Sequence, residues 1–324
     1  MIDRESPSAA RAGRWPLVLP YVLIAGLAVA WGFGWFWLRD AALHAMDAGV
    51  RQAAAEGHEI TWTGRSIAGF PFNLDLRLAG PRFRDTSGWA ASAPRLEAKA
   101  SVFSPGLWVF VAPDGVTLTR PGRGDVQING TVLRASVSAW RDQPARIAVQ
   151  GMGVKFVAVP GARPPSISAA SELHIQTKAG PDHQGAVYVE LDGVHPAEGA
   201  KLARIGAGSA VTLIADGIFN HADALHGRGI DDALRRWRNA GGVMNLRALS
   251  LRAGGLEMVA TSGWLGLDAG GRITGAAPVR LTAADRALTV LGVGPAGPGA
   301  TQIVARDGVT TLGGKSIGPA PRIY

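Results

Sequence analysis

The sequence predicts a mostly β (β-rich α+β) protein. An N-terminal transmembrane helix and a stalk helix precede a large antiparallel sheet, curved or sandwich-like, with one or two short helices. Three observations carry this. The run Trp15–Leu38 (WPLVLPYVLIAGLAVAWGFGWFWL) holds no charged side chain. From Glu59 onward apolar residues alternate with a period of two rather than 3.6. Tight-turn dipeptides separate the alternating runs: Asp114-Gly115, Asn129-Gly130, Asp192-Gly193, Asp216-Gly217, Gly254-Gly255 and Asp307-Gly308.

The elements follow in order. Residues 1–14 form a short tail and 15–38 the anchor. At about 1.5 Å per residue the anchor reaches roughly 36 Å, enough for a hydrocarbon core of about 30 Å. No water is available there to pair backbone polar groups, so the segment must be helical. Trp15 and Tyr21 near one end, and Trp31, Trp35 and Trp37 near the other, suit the two interfaces. Arg4, Arg11 and Arg14 outnumber Asp3 and Glu5 before the span, which predicts a cytoplasmic N-terminus. The protein is then single-pass in the inner (plasma) membrane with the bulk of the chain periplasmic. The alternative is a cleaved, secreted protein, with Ala28-Val29-Ala30 as the cleavage site. Such a product would begin WGFGWFWL and expose a large aromatic patch, which favours the anchor.

Residues 39–57 read as the stalk. Asp40–Glu56 (DAALHAMDAGVRQAAAE) is alanine-rich and free of proline. Leu43, Met46 and Val50 make a narrow apolar stripe, so the helix should be more exposed than buried, and Gly57 should end it. Residues 58–324 form the β-rich domain. Phe70–Leu78 (FPFNLDLRL) places Phe72, Leu74, Leu76 and Leu78 on one buried face, and Asn73, Asp75 and Arg77 on the other. Similar runs are Leu96–Val102, Val116–Thr119, Val132–Val137, Ile167–Ile175, Val187–Leu191, Leu246–Leu251, Leu256–Thr261 and Val279–Leu281. Asn129-Gly130, between DVQI and TVLRASVSA, is the clearest hairpin signal. Helix returns at Ile230–Asn239, with Asp231 and Asp232 at its start and Gly241-Gly242 beyond its end. Thr282–Leu291 is a second short helix candidate, capped by Thr282. Pro160–Pro165 (PGARPP) is the best place to subdivide the domain, and Pro295–Gly299 a second loop.

Composition removes several function classes. The chain has 324 residues and no cysteine, so disulfides, thiol nucleophiles and cysteine metal sites are excluded. The net charge is +8 and the pI near 10.5, yet the arginines are scattered singly. Apart from Arg235, Arg236 and Arg238 beside Trp237 there is no basic cluster, so nucleic acid is not the expected partner. An anionic membrane surface fits the charge better.

No catalytic constellation emerges. The histidines (His44, His58, His174, His183, His195, His221 and His226) form no HExxH or HxH. His221 and His226, with Asp223 between them, have no familiar metal-ligand spacing. Gly64-Arg65-Ser66-Ile67-Ala68 approaches a nucleophile elbow but ends in Ala and precedes a strand. Gly206-Ala207-Gly208 leads into an apolar strand and lacks a P-loop lysine. No catalytic, metal-binding or cofactor-binding residue is therefore assigned, and no cofactor is expected.

The candidate motif is Gly69-Phe70-Pro71-Phe72. Gly69 permits a tight approach, Pro71 suits a strand start, and Phe70 and Phe72 are expected to supply buried area. Trp62–Phe83, centred on this GFPF, resembles an uncharacterised domain-of-unknown-function family of single-anchored alphaproteobacterial envelope proteins. Asn73 stands where that family commonly has Arg. Trp89 and Ala93-Pro94 match the family's next residues. In the stretch Asn245–Leu281, a Gly263–Leu267 turn (GWLGL), Asp268, Gly270-Gly271 and Gly275 are similar to its C-terminal half. The resemblance implies no catalytic residues. The same half is loosely similar to AsmA-like β-rich envelope proteins, which implies lipid handling by fold-level analogy alone.

Two function classes follow. The first is a membrane-anchored periplasmic binding or scaffolding protein that holds a lipid or amphiphile in envelope maintenance, or docks an envelope protein. The second is an envelope hydrolase with a site assembled from dispersed residues. The absence of a catalytic cluster favours the first.

Overall fold

The computed structural model describes residues 15–140, 142–206, 208–283, 289–290, 292 and 299–324. Its first element, α1 (Trp15–Ala55), is one unbroken helix of 41 residues in which the apolar run and the alanine-rich stretch are continuous. Pro20 lies in its second turn, and Ala-rich sequence sustains helix beyond the apolar run. Gly57 ends the helix as expected. It sits in the left-handed region, and the His58 amide donates to the Ala53 carbonyl (2.8 Å), the 6→1 bond of a Schellman cap.

Strands follow: β1 (Glu59–Thr61), β2 (Gly64–Ala68), β3 (Asn73–Ala79), β4 (Arg82–Arg84), β5 (Ala90–Ser92), β6 (Arg95–Ser101), β7 (Ser104–Val111), β8 (Val116–Arg120), β9 (Gly124–Asn129), β10 (Val132–Ser138), β11 (Arg146–Ala158), β12 (Ile167–Ala179) and β13 (Gly185–Pro196). After helix α2 (Lys201–Gly206) come β14 (Val211–Phe219), a 3-10 turn at Ala222–Ala224, and helix α3 (Ile230–Asn239). The chain closes with β15 (Met244–Ala253), β16 (Leu256–Ala260), β17 (Gly263–Leu267), β18 (Ile273–Ala283), β19 (Gly299–Arg306), β20 (Val309–Leu312) and β21 (Lys315–Pro319). Among the described residues every pairing is antiparallel, and all strands belong to one connected sheet.

The sheet is folded over on itself. β11 pairs with β10 through Arg146–Met152 and with β9 through Lys155–Ala158. From β10 one branch continues through β7, β6 and β3 to β2. From β9 the other continues through β8, β5 and β4 to β1. Each strand of one branch runs directly into a strand of the other, so the pairs β1/β2, β3/β4, β5/β6, β7/β8 and β9/β10 are halves of bent strands. The corners hold Gly80-Pro81, Ala93-Pro94, Pro113-Asp114-Gly115 and Gly130-Thr131. Proline lacks the donor a straight ladder needs, so it settles where the ladder turns. Pairing survives the bend: Thr63 N–H donates to Ala79 O, Gly80 N–H to Pro94 O, and Thr131 N–H to Met152 O, all at 2.9 Å.

This corrects the hairpin expected at Asn129-Gly130. β9 and β10 do not pair with each other; both pair with β11. Asp114-Gly115 is another corner. Asp192-Gly193 and Asp216-Gly217 lie inside β13 and β14, next to register shifts. Gly254-Gly255 and Asp307-Gly308 are hairpin turns as expected. The GWLGL segment is strand β17, not a turn. It pairs with β15 and β18, which are also joined through β16.

The long strands β12 to β15 carry the sheet into the C-terminal half, where Val194, Val211, Ala253, Leu256, Val279 and Leu281 form a core with Ile205 of α2. Helix α3 has the bounds the sequence predicts, and Trp237 fixes it to Phe219 and Ala222. Of the second helix candidate, Thr282 is in β18 and residues 284–288 and 291 lie outside the described residues, as do residues 295–298 of the PAGPG loop. Pro160–Pro165 is a loop between β11 and β12.

Asp85 joins the two halves. It is buried in the β4–β5 turn and accepts hydrogen bonds from the amides of Ser87 (3.0 Å), Trp89 (2.9 Å) and Ile230 (3.1 Å), and from the Ser87 hydroxyl. Asp85 thereby supplies a cap that Gly229 cannot, at the positive end of α3. Burial alone would push this carboxyl up, but the hydrogen bonds from Ser87, Ile230 and Trp89 outweigh it and hold it below the usual carboxylate range. Next to it, Thr86 hydroxyl donates to Arg228 O, and Arg228 Nε donates to Glu56 O (3.4 Å) at the end of α1.

Candidate functional site

The bend in the sheet and the helix together enclose the candidate site. β3 keeps the expected alternation: Leu74, Leu76 and Leu78 are buried, with Leu74 only 1 % exposed. Ile67, Ala98 and Trp35 join them, with Leu38, Ala42, Leu43 and Met46 of α1 packed alongside. The stalk portion of α1 is thus not free-standing; it covers the inner face of the bent sheet. Arg65 on edge strand β2 adds a two-pronged ion pair to Asp47 of the helix (3.0 Å to Oδ2).

Contact is incomplete along this face, and a cavity of about 950 Å³ remains between helix and sheet. Its helical wall is Leu38, Ala41, Ala42, Ala45, Met46, Gly49 and Val50, one stripe at the i, i+3/i+4 spacing. Alanine and glycine dominate that stripe, so the helix surface is shallow where the sheet bends away from it. The sheet wall comes from both branches: Leu74, Leu76, Leu78, Leu96, Trp108 and Phe110 from one, and Ile60, Phe83, Ala91 and Val116 from the other. Trp62, Pro81, Ala93, Pro105 and Trp140 complete it. Among the described lining residues Arg82 alone is charged, and Ser92 is the other polar one. The space is open on one side, where Ala45 and Gly49 are exposed, so this chamber is an apolar groove under the helix rather than a sealed cavity. It falls at the upper end of the roughly 300–1,000 Å³ typical of small-molecule sites.

The GFPF motif sits at one end of this chamber. Residues 69–72 form the turn between β2 and β3, and the Phe70–Pro71 bond is cis. The strand begins at Asn73, so Phe72 does not share the buried row of Leu74, Leu76 and Leu78. Phe70 and Phe72 are each 55 % exposed, which corrects the expectation that they supply buried area. The turn instead straps the sheet to α1. Trp31 Nε1 donates to Pro71 O (3.0 Å) and Trp35 Nε1 to Asn73 O (2.9 Å). Phe70 lies edge-on to Trp35, with ring centroids 5.5 Å apart. Gly69, at φ +101°, is required here: a Cβ would come within 2.7 Å of Asn73 O and 2.9 Å of Asp75 Oδ2.

Neither of the weighed chemical motifs is assembled into a reactive site. GRSIA is strand β2 itself, with Ser66 paired across to Arg77 and exposed. His226 Nδ1 donates to Asp223 O (2.6 Å) on an exposed surface, and His183 lies 4.0 Å from the Asp223 carboxylate. No group of three or more His, Asp or Glu gathers among the described residues. The chamber's helical stripe was present in the sequence as the small residues beside Leu43, Met46 and Val50. Its aromatic wall was not readable, because Trp108 and Phe110 of β7 come beside α1 only through long-range pairing by way of β6 and β3.

Comparison with known proteins places this architecture. The model of the family described as an uncharacterized protein conserved in bacteria (DUF2125) matches residues 35–306, most of the chain. The chain belongs to the DUF2125 family. The match begins at Trp35, the helix residue that holds the GFPF turn, and takes in both walls of the chamber and the C-terminal strands through β19. No curated protein and no solved structure matches the chain.

Proposed function

We propose that this DUF2125 protein is a single-pass inner-membrane protein whose periplasmic domain holds the acyl portion of a lipid or similar amphiphile between the stalk and the bent sheet. The observation that carries this reading is the chamber: lined by apolar side chains except at Arg82 and Ser92, and reaching the apolar run of α1 at Leu38. From Leu38 to Val50 the helical wall extends about 18 Å at the helical rise. That is a slot, not a compact pocket, which suits a chain-shaped ligand. α1 is long and apolar enough to span a bilayer, and its apolar window is 6 % buried. The arginines before the span favour the stated orientation.

Affinity in such a slot comes from desolvation. Each methylene taken from water contributes about 0.8 kcal/mol, so ten methylenes supply about 8 kcal/mol before the cost of ordering the chain. Arg82 offers a cation at the rim for a carboxylate or phosphate. The experiment is photo-crosslinking of the full chain, held in amphipol, with a diazirine-bearing fatty acid. Adducts on α1 residues 38–50 and on β3 or β7, competed away by unlabelled fatty acid, are the expected result. Adducts spread over the surface, or none that compete, would overturn the reading.

A further inference from the structure

The aromatic turns at one edge of the sheet are an interaction surface of their own. The turns β2–β3 (69–72), β6–β7 (102–103) and β10–β11 (described at 139–140 and 142–145) all lie at the same edge, because these strands alternate in an unbroken antiparallel order. Each turn presents an exposed aromatic side chain: Phe70 and Phe72, then Phe103 (70 % exposed), then Trp140 (53 %). The next turn along this edge, Gly180–Gln184 (GPDHQ), carries no Phe, Trp or Tyr. Exposed aromatics also spare the turns at the other end of the bent strands, Asp85–Trp89 and Pro121–Arg123. Outside α1 the four most exposed rings, Phe70, Phe72, Phe103 and Trp140, therefore gather at this edge, while the less exposed Phe83 and Trp264 lie on β4 and β17. Scattered exposed apolar residues need no explanation, but a contiguous patch marks a surface that something covers.

The helix residues they touch identify the cover. Phe103 stacks on Trp31 at 5.7 Å, Phe72 lies 6.3 Å from both, and Phe70 stacks on Phe36 at 6.4 Å. Trp31 lies seven residues before the end of the apolar run at Leu38, which is about 10 Å down the helix axis. The β2–β3 and β6–β7 turns are thus strapped to the helix at a depth within its apolar run, and the Trp140 turn is their neighbour on the same edge through Trp140 Nε1, which donates to Gly106 O (2.7 Å). Phe33, Phe36 and Trp37 of α1 are exposed at the same level.

We propose that these three turns are seated in the periplasmic leaflet of the bilayer that holds α1, so the edge of the sheet stands in the lipid interface. Phe and Trp at this depth bury apolar rings at the level where aromatic belts form. Pro105 and Trp140, on two of these turns or next to them, also line the chamber, so its lower end opens at the level of the acyl chains. The inference rests on the membrane-spanning reading of α1, and not on any occupant of the chamber.

The absence of native cysteine makes the test direct. Single-cysteine variants F103C and W140C are spin-labelled in the full chain, reconstituted in phosphatidylcholine–phosphatidylglycerol nanodiscs. Gly26→Cys reports the middle of the span and Asp182→Cys the polar turn. Accessibility to oxygen, which partitions into lipid, is compared with that to a water-soluble nickel chelate. Positions 103 and 140 should follow position 26, with an oxygen-to-nickel ratio severalfold above that at 182. Nickel access at 103 and 140 equal to that at 182, with 26 still lipid-facing, would overturn the inference alone. Protection of both from both reagents would assign the patch to a protein partner and would also overturn it. Nickel access at 26 would overturn the spanning reading itself.

Discussion

Placing bulk on the helical wall of the chamber should abolish ligand binding without harming the fold. Ala45 and Gly49 are the positions to use, because both line the chamber and both are solvent-accessible. A Cβ at Gly49 would meet no atom within 4 Å. Ala45→Trp then fills space that no protein atom occupies. An aromatic side chain buries about 150–250 Å², the area of roughly five methylenes at about 25 cal/mol/Å² and 0.8 kcal/mol each. If the indole displaces that length of acyl chain, about 4 kcal/mol of binding is lost, and area-based figures are upper bounds. At 1.4 kcal/mol per tenfold, the expected weakening is about 100- to 1,000-fold. The assay is titration of the full-length wild type and variant, in amphipol, with a fluorescent fatty acid, alongside thermal unfolding. The variant's unfolding midpoint should be equal to or above that of the ligand-free wild type. Undiminished affinity in a folded Ala45→Trp variant would refute the reasoning, since the ligand would then be bound elsewhere.

Four further outcomes are expected. Leu76→Asp, which puts a carboxylate in the buried row of β3, should abolish cooperative folding at a cost of several kcal/mol, on the order of a domain's whole stability. Asp75→Ser, which removes an outward-facing side chain 3.5 Å from Lys99, should cost under about 1 kcal/mol in chemical denaturation. Because the folded-state pKa of Asp85 is depressed, its stabilising effect is fully present above the ordinary carboxylate pKa and is lost as pH falls through the folded value. Asp85→Asn should therefore destabilise the protein by about 2–3 kcal/mol at pH 7 and by less at pH 3, read from unfolding midpoints. Gly69→Ala should strain the β2–β3 turn and loosen its strap on Trp31 and Trp35, seen as a red-shifted and more quenchable tryptophan emission.

The sequence displayed local periodicity well and spatial pairing poorly. Helix α3 was legible to the residue because its acidic start, basic end and terminal glycines are all local signals. The row Leu74, Leu76, Leu78 was legible for the same reason. Phe72 continued that alternation and so looked buried, but the ladder starts only at Asn73, and the ring is held by a helix about forty residues earlier in the chain. Asn129-Gly130 has the composition of a hairpin turn, yet a corner in a folded sheet asks for the same compact residues. Which of the two forms depends on β11, whose two halves meet different strands. β7 and β11 were not recognised, since Pro105 and Gly106 interrupt one, and Gly151 and Gly153 the other. The stalk's covering role was also hidden. Its small residues read as a weak apolar stripe, whereas their smallness is what leaves room for the chamber.

The most direct measurement of the central claim is native mass spectrometry of the full-length protein, released from its own membrane in polymer-bounded discs and then stripped of annular lipid. The account predicts about one retained acyl-bearing molecule per chain in the wild type, and its loss from Ala45→Trp. Wild type carrying no retained lipid, or equal retention by wild type and Ala45→Trp, would contradict it.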